Sequence, residues 1–166
     1  MTISRREFIK WTAASAGAAA VAGYAAPASK TAGRVVVIGG GYGGATAAKY
    51  IRLWSPDIDV TLVERNAEFI SCPISNLVLG GNTKMTNITK SYGGLRKRGV
   101  RLVREAAVAV DAGSRRVRLA GGATLQYDRL IVSPGIDFMF EQIPALKSRD
   151  AQNRILHAWK AGPQTV

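Results

Sequence analysis

The feature that most constrains this chain is a β-branched run that ends in glycines. Gly33 to Ile38 reads as a strand, and Val35-Val36-Val37-Ile38 within it is continuously apolar. That is the pattern of a strand buried on both faces of a parallel sheet. It runs directly into Gly39-Gly40-Gly41-Tyr42-Gly43-Gly44, which has the spacing G-x-G-x-x-G. Ala45 to Trp54 then reads as a helix with small residues on its first turn, stopped by Pro56. Ile58 to Glu64 reads as a second strand. Strand, turn, helix and strand in about thirty residues is the length that a right-handed parallel crossover needs.

In such a turn Gly39 permits the sharp exit from the strand. Gly41 lets the backbone approach a diphosphate with no Cβ in the way, and Gly44 lets the helix pack closely on the strand. Gly43 is a further candidate for cofactor binding in this turn. Unpaired N–H groups and the positive dipole end of the helix favour an anion there. Glu64 stands twenty residues beyond Gly44, ready to accept hydrogen bonds from ribose hydroxyls. A carboxylate in that place repels a 2′-phosphate and disfavours NADP. Arg65, next in sequence, is a further candidate for cofactor binding. A flexible surface glycine loop would have no reason to follow such a strand, open a helix and find an acid at this offset. The pattern alone permits FAD or NAD.

The N-terminus reads as a targeting segment. Ser4-Arg5-Arg6-Glu7-Phe8-Ile9-Lys10 fits the twin-arginine export pattern, followed by an Ala-rich run from Trp11 to Ala26 and the small residues Ala26-Pro27-Ala28. The run is too short and too rich in Ala and Gly for a stable membrane span. Twin-arginine export carries folded proteins, commonly with a cofactor already inserted, to the periplasm. The formal charge is +12, and the first 28 residues account for only +2 of it. The rest is basic enough to steer an acidic partner or anionic substrate, unless acids elsewhere in a longer protein balance it. Arg96-Lys97-Arg98 and Arg115-Arg116 lack interleaved aromatics and read as solvated faces, not a nucleic-acid surface. One cysteine, Cys72, and one histidine, His157, exclude an internal disulfide and a Cys- or His-based metal site.

Beyond Glu64 the sequence predicts a short helix over Pro73 to Leu79, a helix over Ser91 to Arg98 and a strand over Val100 to Val103. Extended runs at Ala107 to Asp111, Arg115 to Leu119 and Ala123 to Gln126, separated by glycines, predict an antiparallel meander. Leu130 to Val132 is a further buried strand, ended by Ser133-Pro134-Gly135. No sheet pattern follows Ile136. Cys72, at the start of the expected helix, is read either as a buried inert thiol or as a thiolate favoured by a helix N-terminus.

A meander between the third strand and a later parallel strand resembles the FAD domains of the two-dinucleotide-binding flavoproteins. Gln126-Tyr127-Asp128-Arg129-Leu130-Ile131-Val132-Ser133-Pro134-Gly135 is similar to their second glycine-turn stretch, which makes Pro134 and Gly135 candidate cofactor contacts. Asp128 reads either as part of that stretch or as a strand-edge turn residue. More narrowly, the chain resembles the flavoprotein subunit of flavocytochrome c sulfide dehydrogenase. The resemblance rests on Val37-Ile38-Gly39-Gly40-Gly41, Gly43 to Ile51, the Cys72 loop with Ser75-Asn76, and His157-Ala158-Trp159-Lys160-Ala161-Gly162.

That resemblance implies FAD linked through a cysteinyl thioether at Cys72, oxidation of sulfide in the periplasm, and a c-type cytochrome subunit as electron acceptor. His157 and Trp159, in the shared stretch, read as structural or surface residues, since no partner acid or nucleophile lies near them in sequence. The expected fold class is α/β: an incomplete, three-layer Rossmann-like FAD-binding domain, a parallel sheet with an antiparallel β-meander crossover. The expected organisation is a twin-arginine signal peptide over 1–28, the first segment of the FAD-binding domain over 33–140, and the start of a connection to a second domain over 141–166. Family members also carry a redox cysteine pair and a return segment, so the chain is expected to be a fragment, inactive alone, with uncovered sheet edges. The rival expectations are a sulfide:quinone or NADH-type flavin reductase of the same superfamily, and a truncated, non-catalytic flavin-binding remnant.

Overall fold

The structure, a computed structural model, describes residues 31–166, and the leader expected over 1–28 lies outside the described residues. Its centre is a four-stranded parallel sheet in the order β5-β2-β1-β9, built from β1 (Gly33–Ile38), β2 (Ile58–Val63), β5 (Arg101–Val103) and β9 (Arg129–Val132). Val37 pairs with Leu62 on one side and Ile131 on the other, so β1 is central. That position explains its uninterrupted apolar run, because both faces of β1 are covered.

Alternation along the strands sorts the core into two layers. Val35, Val37, Val60 and Leu62 face α1 (Tyr42–Trp54) and α4 (Gly93–Arg96), packing with Ala48, Leu95 and Val100. Val36, Val63 and Val103 face the other way, onto Val117, Leu119, Leu125 and Tyr127 of the meander. The meander is β6 (Ala107–Asp111), β7 (Arg116–Leu119) and β8 (Thr124–Gln126), with a bulge between Ala107 and Ala109. Helices on one face and an antiparallel sheet on the other make the three layers that the sequence predicts. Leu62, Val37 and Val117 are fully buried, each contributing about 1.5–3 kcal/mol of burial.

Several local expectations shift. Helix α1 begins at Tyr42, not Ala45, since Gly43 and Gly44 lie within its first turn. The helix expected from Pro73 begins at Ser75, and α2 (Ser75–Leu79) is only five residues long. Ile74 precedes it in the left-handed region at φ 65, which interrupts the helix on its N-terminal side. The thiolate argument for Cys72 thereby loses its helix N-terminus. The helix expected over Ser91 to Arg98 shortens to α4, because residues before it pair as a strand. That strand, β4 (Thr89–Ser91), runs antiparallel to β3 (Glu68–Ile70), with Phe69 opposite Lys90. Helices α2 and α3 (Met85–Ile88) fill the connection between them.

Asp128 lies at the start of β9, remote from the glycine turn. Its carboxylate accepts from the Arg34 backbone N–H at 2.7 Å and from the Arg34 guanidinium at 3.3 Å. Arg34 holds this carboxyl below the usual carboxylate range through that hydrogen-bonded pair. Of its two sequence readings, the strand-edge one describes its position: it pins β9 to β1 at the sheet's N-terminal edge. After Val132 no strand forms among the described residues; α5 (Arg149–Asn153) and short 3-10 turns make up the tail.

Candidate functional site

In a parallel sheet, ligands bind beyond the carboxyl ends of the strands. Here those ends bring Gly39 to Gly44, Glu64 and the Ser133-Pro134-Gly135 turn together. The glycines there divide by what surrounds them. A Cβ on Gly39, which has φ +98, would overlap the Ser133 carbonyl oxygen. One on Gly44 would overlap the Gly39 carbonyl oxygen and crowd Val37 Cγ1 at 3.2 Å. One on Gly43 would sit 2.7 Å from Ser133 Oγ. These three glycines allow backbone to pack on backbone or side chain. Gly41 differs: its nearest neighbour would be a Phe69 ring carbon at 3.9 Å. Gly135, at φ +78, likewise has nothing within 4 Å. Open space lies where a ligand would run.

Gly41 is the N-cap of α1, with no side chain capping it and no acid in the first turn. The first-turn N–H groups of a 13-residue helix therefore lack an intrahelical acceptor and a side-chain partner. That is a place for an anion, with the dipole adding favourable potential.

Glu64, half-buried just past β2, accepts the Gly40 N–H on Oε2 at 2.8 Å. Its Oε1 accepts both the backbone and side-chain N–H of Asn66 at 2.8 Å. The carboxylate is thus oriented from two sides, with lone pairs left for a further donor. A cleft of about 370 Å³ opens between Gly39, Glu64, Arg65, Pro134 and Gly135, and Glu105 to Ala107, which lead into the meander, also line it. A second cleft, about 430 Å³, shares Glu64, Arg65, Asn66 and Lys160 and continues past Phe69, Tyr92 and Phe138. Arg65 is exposed and lines both.

Cys72 lines neither cleft. It is half-buried in the loop after β3, its Sγ donating to the Ala158 carbonyl at a long 3.8 Å. The preceding residue ties this loop to the glycine turn: Ser71 Oγ and Tyr42 Oη share a 2.6 Å hydrogen bond. Tyr42 also meets Phe69 edge-on at 5.0 Å.

Three participants escaped the sequence reading. Tyr92 reaches over the glycine turn, and its hydroxyl donates to the Gly40 carbonyl at 3.1 Å. Burial, with the Glu64 charge adding to it, pushes this phenol up to about 12. Asp137 and Lys160, which both line the first cleft, form an ion pair. The hydrogen bond from Lys160, supported by the Phe138 amide and the Arg65 charge, holds the Asp137 carboxyl below the usual range. The run of three glycines was the one visible signal: G-x-G-x-x-G does not require Gly40. His157 packs edge-on to Phe138 at 5.1 Å, with its buried Nδ1 unpartnered among the described residues, and Trp159 is exposed.

A β-α-β unit with an uncapped helix start, an acid past the second strand and a meander crossover define a dinucleotide-binding flavoprotein domain. The chain belongs to the pyridine nucleotide-disulphide oxidoreductase family, whose model matches residues 33–161. Within that family it is similar to the flavoprotein chain of sulfide dehydrogenase (flavocytochrome c) from Chlorobaculum thiosulfatiphilum, at 60% identity over 45 residues, 27% of this chain and 94% of that sequence. It is 30% identical over 107 residues to the sulfide-quinone reductase of Aquifex aeolicus, covering 64% of this chain and 25% of that protein. The X-ray structure of the sulfide:quinone oxidoreductase from Aquifex aeolicus superposes with a TM-score of 0.60 at 32% identity, over 66% of this chain and 26% of that one. The chain thus spans about a quarter of the length of these Aquifex relatives.

Residues 2–22 match the twin-arginine translocation signal, which in bacteria directs export to the periplasm. The chain therefore carries an export signal followed by a flavoprotein domain of this oxidoreductase family, and the cofactor class is a flavin. The residues present fit such a cofactor: the uncapped helix start and the open space at Gly41 suit a diphosphate, and the Glu64 carboxylate suits a ribose.

Proposed function

We propose that this chain is the FAD-binding portion of an exported sulfide dehydrogenase that passes electrons from sulfide to a c-type cytochrome. The observation that carries the cofactor part is the open, uncapped start of α1 at Gly41 beside the oriented carboxylate of Glu64. Bound FAD supplies the two-electron redox chemistry, and the protein binds and orients it. Gly41 and the first-turn amides hold the diphosphate, Glu64 accepts from the adenosine ribose, and Pro134 and Gly135 leave room opposite. Gly39, Gly43 and Gly44 allow the close packing that shapes this turn. Arg65 flanks the adenosine end. The proposed organisation is a signal peptide over 1–28, the first FAD segment over 33–140 and a connection over 141–166. No helix among the described residues is long and apolar enough to cross a membrane.

Cys72 is the proposed point of covalent attachment. Its support is the resemblance to the flavocytochrome c flavoproteins and the Ser71–Tyr42 bond that moors its loop to the cofactor turn. After acid precipitation of the whole polypeptide, flavin fluorescence is expected to stay with the protein, and to move to the supernatant in Cys72→Ser. Flavin released from the unaltered protein would refute attachment.

The acceptor separates the two sulfide readings. The 60% identical flavocytochrome relative and the export signal favour cytochrome. The longer match to the Aquifex protein favours quinone. With sulfide as donor, the whole polypeptide is expected to reduce a c-type cytochrome at least about tenfold faster than a soluble quinone. The reverse order would support the quinone reductase.

A further inference from the structure

Gly40 is held from both sides. Glu64 Oε2 takes its N–H at 2.8 Å, which fixes the peptide between Gly39 and Gly40. Tyr92 Oη donates to its carbonyl at 3.1 Å, which fixes the next peptide, between Gly40 and Gly41. Tyr92 is 7% exposed and packs in the core under the sheet, so this hydroxyl cannot swing away to solvent. A Cβ on Gly40 would stand 2.5 Å from that same oxygen, so the tyrosine also dictates the middle glycine.

The peptide is planar and trans, so its N–H points opposite to its C=O. With the Gly40 carbonyl aimed at Tyr92, the Gly41 N–H is aimed away from Tyr92. Donation to the carbonyl also polarises the amide, which strengthens its N–H as a donor. We propose that Tyr92 is a positioning residue for the dinucleotide: by gripping the Gly40 carbonyl it presets the Gly41 amide as a donor to the cofactor's diphosphate. This rests on the dinucleotide reading above and deepens it. Glu64 serves the same turn from the other peptide as well as facing the ribose.

Tyr92→Phe removes the hydroxyl and keeps the ring. The test is made in the whole polypeptide carrying Cys72→Ser, so that affinity and not attachment is read. FAD is titrated by its fluorescence, and hydrogen exchange is followed over residues 39–44 in the cofactor-free protein. Tyr92→Phe is expected to weaken FAD binding about 5- to 10-fold, the size of one neutral hydrogen bond. Exchange over residues 39–44 is expected to accelerate, with the unfolding midpoint little changed. A role in packing alone would leave the affinity, the exchange over residues 39–44 and the midpoint as they were, because phenylalanine keeps the ring. If the parent binds FAD and Tyr92→Phe binds it equally well, the inference fails alone. If the parent binds no FAD, the dinucleotide reading fails and the inference with it.

Discussion

Replacing Gly44 with alanine is expected to cost at least about 3 kcal/mol of folding stability, the upper part of the range for overpacking a tight interface. The added Cβ would overlap the Gly39 carbonyl oxygen and crowd Val37 Cγ1. Neither neighbour can yield cheaply. Gly39 sits at φ +98 with its N–H bonded to the Val63 carbonyl at 2.9 Å, and Val37 is fully buried in the central strand. Relief requires α1 to move off β1, which opens the layer that contains Ala48, Val60 and Leu62. Thermal unfolding of the whole polypeptide should show a midpoint about 6 °C lower or more, at roughly 2 °C per kcal/mol for a unit of this size. Gly113→Ala is the matched control: its Cβ would meet only the Asp111 carboxylate at 3.5 Å, and a change within about 0.5 kcal/mol is expected. Equal midpoints for the two variants would show that Gly44 does not carry the helix-on-strand contact.

Gly41→Ala should behave in the opposite way. Its φ of −70 lies in a region open to any residue, and its Cβ would approach no atom of the chain more closely than 3.9 Å. The fold loses only the modest preference for glycine over alanine at an N-cap, about 1 kcal/mol or less. A diphosphate seated on the first-turn amides, however, would meet that methyl directly. A clash of about 3 kcal/mol in a rigid turn corresponds to a loss of at least about 100-fold in affinity. The two glycines stand three residues apart and answer to different masters, one to the fold and one to the ligand.

How much of this was legible in the sequence depended on range. Val35 to Ile38, the glycine turn and Glu64 are contiguous signals within one β-α-β unit, and the structure assembles them as a parallel pair with Val37 beside Leu62. The meander was visible because glycines separate its short strands. The β3–β4 pair was not, since Glu68-Phe69-Ile70 is too short to show alternation and its partner lies beyond two intervening helices. The helix expected at Pro73 failed on Ile74, whose left-handed backbone no propensity rule predicts for a β-branched residue. Tyr92 was invisible for a different reason. Its bond to Gly40 spans 52 positions, and nothing local to Ser91-Tyr92-Gly93 hints at a glycine turn so far upstream. Asp128 illustrates the limit of resemblance: the stretch around it was recognisable, but only the pairing of β9 with β1 shows that Asp128 and Gly135 lie at opposite ends of the strand.

The most direct measurement is an FAD titration of the Cys72→Ser polypeptide with and without Gly41→Ala, alongside the unfolding midpoints of both cofactor-free proteins. Submicromolar binding that falls at least about 100-fold on adding the one methyl, with midpoints within a few degrees, is the result that a diphosphate at the start of α1 predicts. Undiminished binding in the Gly41→Ala protein, at equal stability, would place the cofactor elsewhere and contradict the account.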